Sequence, residues 1–190
     1  MGQSFVNIKP VNLWPTTVYV SEIRILDMPS MISEIYRLQS TESAVKKSNY
    51  GGWQSEVNLF DNPAFAQLTD EIASTVFWLF NKNISIKQMW ACVNKHKDFN
   101  VIHAHGNEYH LSGVFYLKVP VDSGNICFRD PRPAAINSTT NRIFNQGDSE
   151  NFIPYETELI LFPSFLEHFV MPNESQEDRI SVSFDLVFGE

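Results

Sequence analysis

The chain has 190 residues, 22 acidic against 14 basic, and a formal net charge of −8; this balance excludes non-specific nucleic-acid binding, which needs a cationic surface to displace counterions. Hydrophobic residues make up 43% and aromatics 13%, with Phe alone at 15, so the chain can bury one sizeable core and is not a disordered segment. Two cysteines, Cys92 and Cys127, each inside an apolar run, exclude a disulfide framework and read as reduced, buried thiols of a cytoplasmic protein.

In chain order, Met1–Asn7 has no charged segment leading into an apolar one, so it is not a signal peptide; Val6 replaces the Ser or Thr of the usual myristoylation pattern. Residues 11–20 mix β-branched and aromatic side chains and read as a strand opened by Pro15. Asp27-Met-Pro29 starts a helix, with Ile32, Ile35 and Leu38 at helical spacing. Residues 40–56, polar and glycine-containing, read as a loop. Asp61-Asn62-Pro63 begins a second helix on which Phe65, Leu68, Ile72, Val76 and Leu79 repeat, with Phe77 and Trp78 assigned to the core. From residue 84 the pattern changes to short apolar runs at 84–94, 99–105, 111–119, 125–129, 158–163, 167–171 and 179–188. In the last run Val182, Phe184 and Leu186 alternate with Ser181, Ser183 and Asp185. Closely spaced short strands behind a helical front predict an antiparallel sandwich or barrel with supporting helices. The stretch 130–157 reads as one long loop of functional or mobile character. No run approaches the ~20 apolar residues that span a bilayer.

Three of the five histidines form a pattern. His103 and His105 flank Ala104 at the end of an extended run, and in a strand residues two apart share a face, so both imidazoles can reach one ion at about 2.0–2.1 Å. His168 arrives from another run to complete a facial set whose open positions suit catalysis by non-heme Fe(II). His96 reads as solvated and His110 as a loop residue. Arg179 and Ser181, also two apart, offer a guanidinium for a carboxylate and a neighbouring hydroxyl, although an internal acid is an equally good partner for the arginine.

His103-Ala-His105, Leu111-Ser-Gly-Val-Phe-Tyr-Leu117, Asp130-Pro-Arg132, Leu161-Phe-Pro-Ser-Phe-Leu-Glu-His168 and Arg179-Ile-Ser-Val-Ser-Phe184 together resemble the 2-oxoglutarate/Fe(II)-dependent oxygenase family of bacterial and bacteriophage type. Trp14-Pro15 and Gly52-Trp53-Gln54-Ser55 also fit, so the resemblance runs over most of the chain. It implies a mainly β fold with supporting α-helices, a double-stranded β-helix (jelly roll, cupin-like), forming a single domain over 1–190. The helical front part would be about 1–83 and the jelly-roll core about 84–190. It further implies Fe(II) as cofactor and 2-oxoglutarate as co-substrate. His103 would be the first ligand, His168 the distal ligand and Arg179 the co-substrate arginine, with Ser181 and Tyr116 beside it.

The common ligand motif of the wider superfamily has Asp or Glu where this chain has His105. Either His103, His105 and His168 form a three-histidine centre, or Asp130 supplies the third ligand. Asp130, Arg132 and Arg142 are otherwise candidates for contacting the substrate, with 130–157 as a lid, and Asp130-Pro-Arg132 reads equally well as a structural ion pair. The implied reaction converts 2-oxoglutarate to succinate and CO2 while oxidising, usually hydroxylating, a second molecule. That substrate is a small molecule or a protein; no membrane partner is expected, a homodimer is plausible, and a phage-encoded chain would act in the host cytoplasm. Two rivals stay open: a three-histidine cupin-type enzyme that does not use 2-oxoglutarate, and a non-enzymatic jelly-roll binding module.

Overall fold

The computed structural model describes residues 9, 11–136, 138–139 and 147–189. Its elements are β1 (Tyr19–Glu22), α1 (Met28–Thr41), β2 (Asn49–Tyr50), β3 (Trp53–Gln54), α2 (Ala66–Phe80), β4 (Ile84–Asn94), β5 (Phe99–His103), β6 (Leu111–Lys118), β7 (Ile126–Arg129), β8 (Ser149–Phe152), β9 (Glu158–Pro163), β10 (His168–Val170) and β11 (Arg179–Phe188). Two antiparallel sheets result, one ordered β1-β9-β6-β11-β4-β3 and the other β2-β5-β10-β7-β8. This is the expected jelly-roll arrangement with two supporting helices.

Period-two alternation sorts the side chains of the larger sheet. Ile180, Val182, Phe184 and Leu186 of β11, with Met89, Ala91 and Val93 of β4, join the core that Ile35 and Leu38 of α1 and Leu68, Ile72 and Val76 of α2 complete. Fully burying each such side chain stabilises the fold by about 1.5–3 kcal/mol. The opposite face carries Val114, Tyr116, Ile160 and Phe162, which form a smaller cluster with Ile126 and Phe128 of the second sheet. That inter-sheet space holds the site.

Helix α1 starts as read: the Asp27 carboxylate accepts from the Ser30 backbone N–H at 3.1 Å and from its hydroxyl at 2.7 Å. Four other readings differ. The first strand is Tyr19–Glu22, later than expected, because only these residues meet a partner, β9; Val11–Val18 line a surface cleft instead. The 40–56 loop contains β2 and β3, which belong to different sheets, and Gly51 at φ +86° makes the crossing. The second helix opens with a 3-10 turn, Pro63–Phe65, before α2. Phe77 and Trp78 are exposed, at 49% and 83%: at 100° per residue they rotate away from the buried Leu68, Ile72, Val76 stripe.

Candidate metal centre

His103 is the last residue of β5 and His168 the first of β10, and the two are direct cross-strand partners. Their ring centroids lie 4.3 Å apart. His105 lies just past β5, fixed by its backbone N–H donating to the Ser164 carbonyl at 2.9 Å. Its ring is 5.5 Å from that of His103 and 5.2 Å from that of His168. One donor nitrogen from each of the three falls within 4.8 Å of the others. Asp130 is not in this group.

The second nitrogen of each ring is already engaged. Nδ1 of His103 meets the Val101 carbonyl at 2.8 Å, Nδ1 of His168 the Leu166 carbonyl at 2.9 Å, and Nδ1 of His105 the Asp185 Oδ1 at 2.5 Å. All three partners are oxygen acceptors, so each Nδ1 carries the proton and each Nε2 keeps its lone pair. The Ser48 hydroxyl stands 3.3 Å from Nε2 of His103. Burial, reinforced by His103, pushes the His168 imidazole down to about 3, and burial likewise lowers His103. Rings held neutral, as burial holds His103 and His168, are what a metal requires, and three imidazoles on one side fit a divalent first-row ion that keeps positions open.

The three histidines line a cavity of about 500 Å³ between the sheets. Arg179, Ser181, Ser183 and Asp185 of β11 all line it, as their alternation requires. Arg179 is only 2% exposed. Its Nη1 donates to the Ser123 and Gly124 carbonyls at 2.9 and 3.3 Å, while its Nε has no partner. Among the described residues no carboxylate lies within ion-pair distance of it. Burial lowers its pKa from the ordinary arginine range. Tyr116, the register partner of Ser181, is buried on the same wall, and burial raises its phenol.

Asp130 and Arg132 stand elsewhere. Arg132 grips the Asp130 carboxylate through Nε and Nη2 at 3.0 and 2.7 Å, and both line the cleft beside Val11–Val18. The described part of 130–157 includes β8, and those of its residues that line a cavity line that cleft rather than the histidine cavity. Arg142 lies outside the described residues. His110 accepts from the Phe188 N–H at 2.8 Å and stacks on its ring, and His96 is exposed.

Three cavity features escaped the sequence reading. Trp90 stacks on His105 at 5.7 Å, Gln88 donates to the Tyr109 hydroxyl at 2.9 Å, and Asp185 binds His105. Only Asp185 left a signal: it shares the parity of Arg179 and Ser181 in an otherwise apolar strand.

Comparison with known proteins gives the same fold. The profile of the family described as "Putative 2OG-Fe(II) oxygenase" matches residues 88–185, more than half of the chain. Among solved structures, the chain is similar to the non-heme alpha ketoglutarate dependent epimerase SnoN from nogalamycin biosynthesis, with a TM-score of 0.71, 14% identity, and coverage of 90% of this chain and 78% of that one. HygX from Streptomyces hygroscopicus, determined with nickel, 2-oxoglutarate and hygromycin B bound, aligns at a TM-score of 0.65 and 14% identity over 90% of this chain and 82% of that one. A Pseudomonas putida prolyl-4-hydroxylase aligns at 0.65 and 14% identity over 92% and 94%. No curated protein sequence matches.

Proposed function

Because the chain belongs to the 2OG-Fe(II) oxygenase family, a family of oxidoreductases, we propose that His103, His105 and His168 hold its Fe(II), and that Arg179, Ser181 and Tyr116 seat its 2-oxoglutarate. The observation that carries this reading is that one cavity contains both a cluster of three lone-pair Nε2 atoms and a buried guanidinium that has no counter-ion among the described residues. An unpaired buried charge costs several kcal/mol, and a carboxylate ligand offsets that cost.

When bound, Fe(II) and 2-oxoglutarate supply the oxidation: O2 is consumed, 2-oxoglutarate loses CO2 to become succinate, and one oxygen atom goes to a substrate C–H bond. The chain's own tasks are holding and excluding. Three imidazoles on one side leave the remaining metal positions for co-substrate and O2. The Val101 and Leu166 carbonyls and the Asp185 carboxylate fix the ring orientations. Arg179 offers the charge, and Ser181 and Tyr116 the hydroxyls, for the far carboxylate. Phe162, Ile126 and Val170 give the cavity apolar walls that limit water. An organic substrate, hydroxylated at carbon, enters past Trp90, Gln88 and Tyr109. No described helix is long and apolar enough to cross a membrane, and the buried thiols Cys92 and Cys127 suit a reducing cytoplasm.

The test is anaerobic loading with Fe(II), then titration with 2-oxoglutarate followed by the visible charge-transfer absorbance of the iron complex. One iron per chain and a saturable band are expected. Iron without any response to 2-oxoglutarate would favour a three-histidine enzyme that does not use it, and no bound iron would favour a binding module.

A further inference from the structure

The cluster of His103, His105 and His168 contains no carboxylate of its own, and the fold holds one directly behind His105. Asp185 is 2% exposed. Its Oδ1 accepts from His105 Nδ1 at 2.5 Å and from the Ser112 hydroxyl at 2.6 Å. Both bonds are short, as charge-assisted bonds are. Ser112 has one proton and gives it to Asp185, so the Ser164 hydroxyl, 3.0 Å away, donates to Ser112. Ser164 also accepts the backbone N–H of His105. The main chain and side chain of His105 are therefore tied to one network on β6, β11 and the turn after β9. Among the described residues no Lys or Arg lies within ion-pair distance of Asp185, so His105 is its one basic partner.

Resting on the three-histidine reading, we infer that Asp185 is a positioning residue which acts on the metal site from behind His105. It locks the proton on Nδ1, aims the Nε2 lone pair at the metal, and returns a negative charge to the site through the imidazole. Carboxylate–histidine–metal arrangements of this kind make the ring a stronger donor, and losing the carboxylate weakens metal binding about 10- to 100-fold. The arrangement also accounts for an otherwise costly feature, a buried carboxylate with no Lys or Arg beside it among the described residues: a bound ion would supply its counter-charge.

The test is a double-mutant cycle on Fe(II) affinity, with folding followed by circular dichroism. Asp185→Asn removes the charge and can present an N–H to Nδ1, which drives the ring proton onto Nε2. It should weaken Fe(II) about 10- to 100-fold in the wild-type background. In a His105→Asp background the carboxylate is already a ligand and Asp185 only repels it, so Asp185→Asn should leave affinity unchanged or tighten it. An equal loss in both backgrounds, or no loss in the wild type, overturns the inference. A separate readout needs no metal: nitrogen NMR of the apo-protein should show His105 as the Nδ1–H tautomer, shifting toward Nε2–H in Asp185→Asn. Asp185→Ala, which removes the acceptor of the Nδ1 proton altogether, should move that signal in the same direction if Asp185→Asn does not fold. If wild type binds no iron, the metal reading fails; an unmoved tautomer in both variants sinks the role of Asp185.

Discussion

Arg179 and Asp185 stand on the same cavity-facing side of β11, and among the described residues the buried guanidinium has no carboxylate within ion-pair distance and the buried carboxylate has His105 as its one basic partner. Six residues of strand, about 20 Å at 3.3 Å per residue, separate them. The simplest way to satisfy two buried opposite charges is to pair them, and the strand geometry forbids it. Under the proposed reading each would meet a ligand of opposite sign: a carboxylate at the Arg179 end, and a metal ion on the far side of His105 from Asp185.

Replacing Arg179 by Ala should therefore weaken 2-oxoglutarate selectively. Truncating one partner of a buried charge pair costs about 2–5 kcal/mol, or at least about 30-fold in affinity. Iron binding should change little, since Arg179 touches none of the three histidines. Calorimetric titration of the iron-loaded variant with 2-oxoglutarate measures the first, and iron stoichiometry the second. Parallel loss of both would mean that the arginine is structural.

The order of the strands from residue 84 onward was legible because each run is short, apolar and bounded by turn residues; the 158–163 and 179–188 runs coincide with β9 and β11. His103 and His105 were legible from parity alone. His168 needed tertiary knowledge, since only the β5–β10 register places it opposite His103. What stayed hidden depended on contacts across sheets. Phe77 and Trp78 looked like core by composition, but the phase of α2 turns them outward. The 130–157 stretch looked like a lid over the site, yet β8 pairs with β7, and those of its described residues that line a cavity line the other cleft. Asp130, one of the candidate third ligands, is held by the arginine two residues on.

Metal binding should appear as thermal stabilisation confined to the right histidines. A ligand at 100 times its Kd adds about 2.7 kcal/mol to the folded state. Wild type titrated anaerobically with Fe(II) should therefore melt several degrees higher. His103→Ala should abolish this shift. His110→Ala should keep it while lowering the metal-free melting point, because His110 accepts the Phe188 N–H and stacks on its ring. A lost shift in His110→Ala would move the metal to a different set.

Gly124 links the turn before β7 to the Arg179 end of the cavity. It sits at φ +92°, and a Cβ there would lie 2.2 Å from the Met171 carbonyl oxygen, a backbone atom that cannot step aside cheaply. Its own carbonyl accepts from Arg179 Nη1. Gly124→Ala should thus destabilise the chain by about 1–3 kcal/mol and also weaken 2-oxoglutarate, by displacing the carbonyls that aim the guanidinium. Urea unfolding and 2-oxoglutarate titration measure the two effects; a stability loss with unchanged 2-oxoglutarate affinity would separate the turn from the site.

The metal-free protein should lose stability as pH falls from neutrality, with His168 as a main cause. Its folded value is pushed down to about 3, chiefly by burial and then by His103, while the unfolded side chain titrates near 6.5. Above that value both states are neutral and the group contributes nothing. Between about 6.5 and 3 the unfolded chain binds a proton that the folded chain refuses, so stability falls by up to about 1.4 kcal/mol per pH unit. The lowered His103 acts with the same sign. Glu34, held down to about 2 first by Arg37 and then by Asn62, adds a further loss below 4.5, but in wild type and variant alike. Denaturant unfolding at about pH 7 and about pH 5 should therefore show a smaller drop in His168→Asn than in wild type. Equal drops would mean that the imidazole is hydrated in the metal-free protein and that the cavity wall behind His168 is open to water.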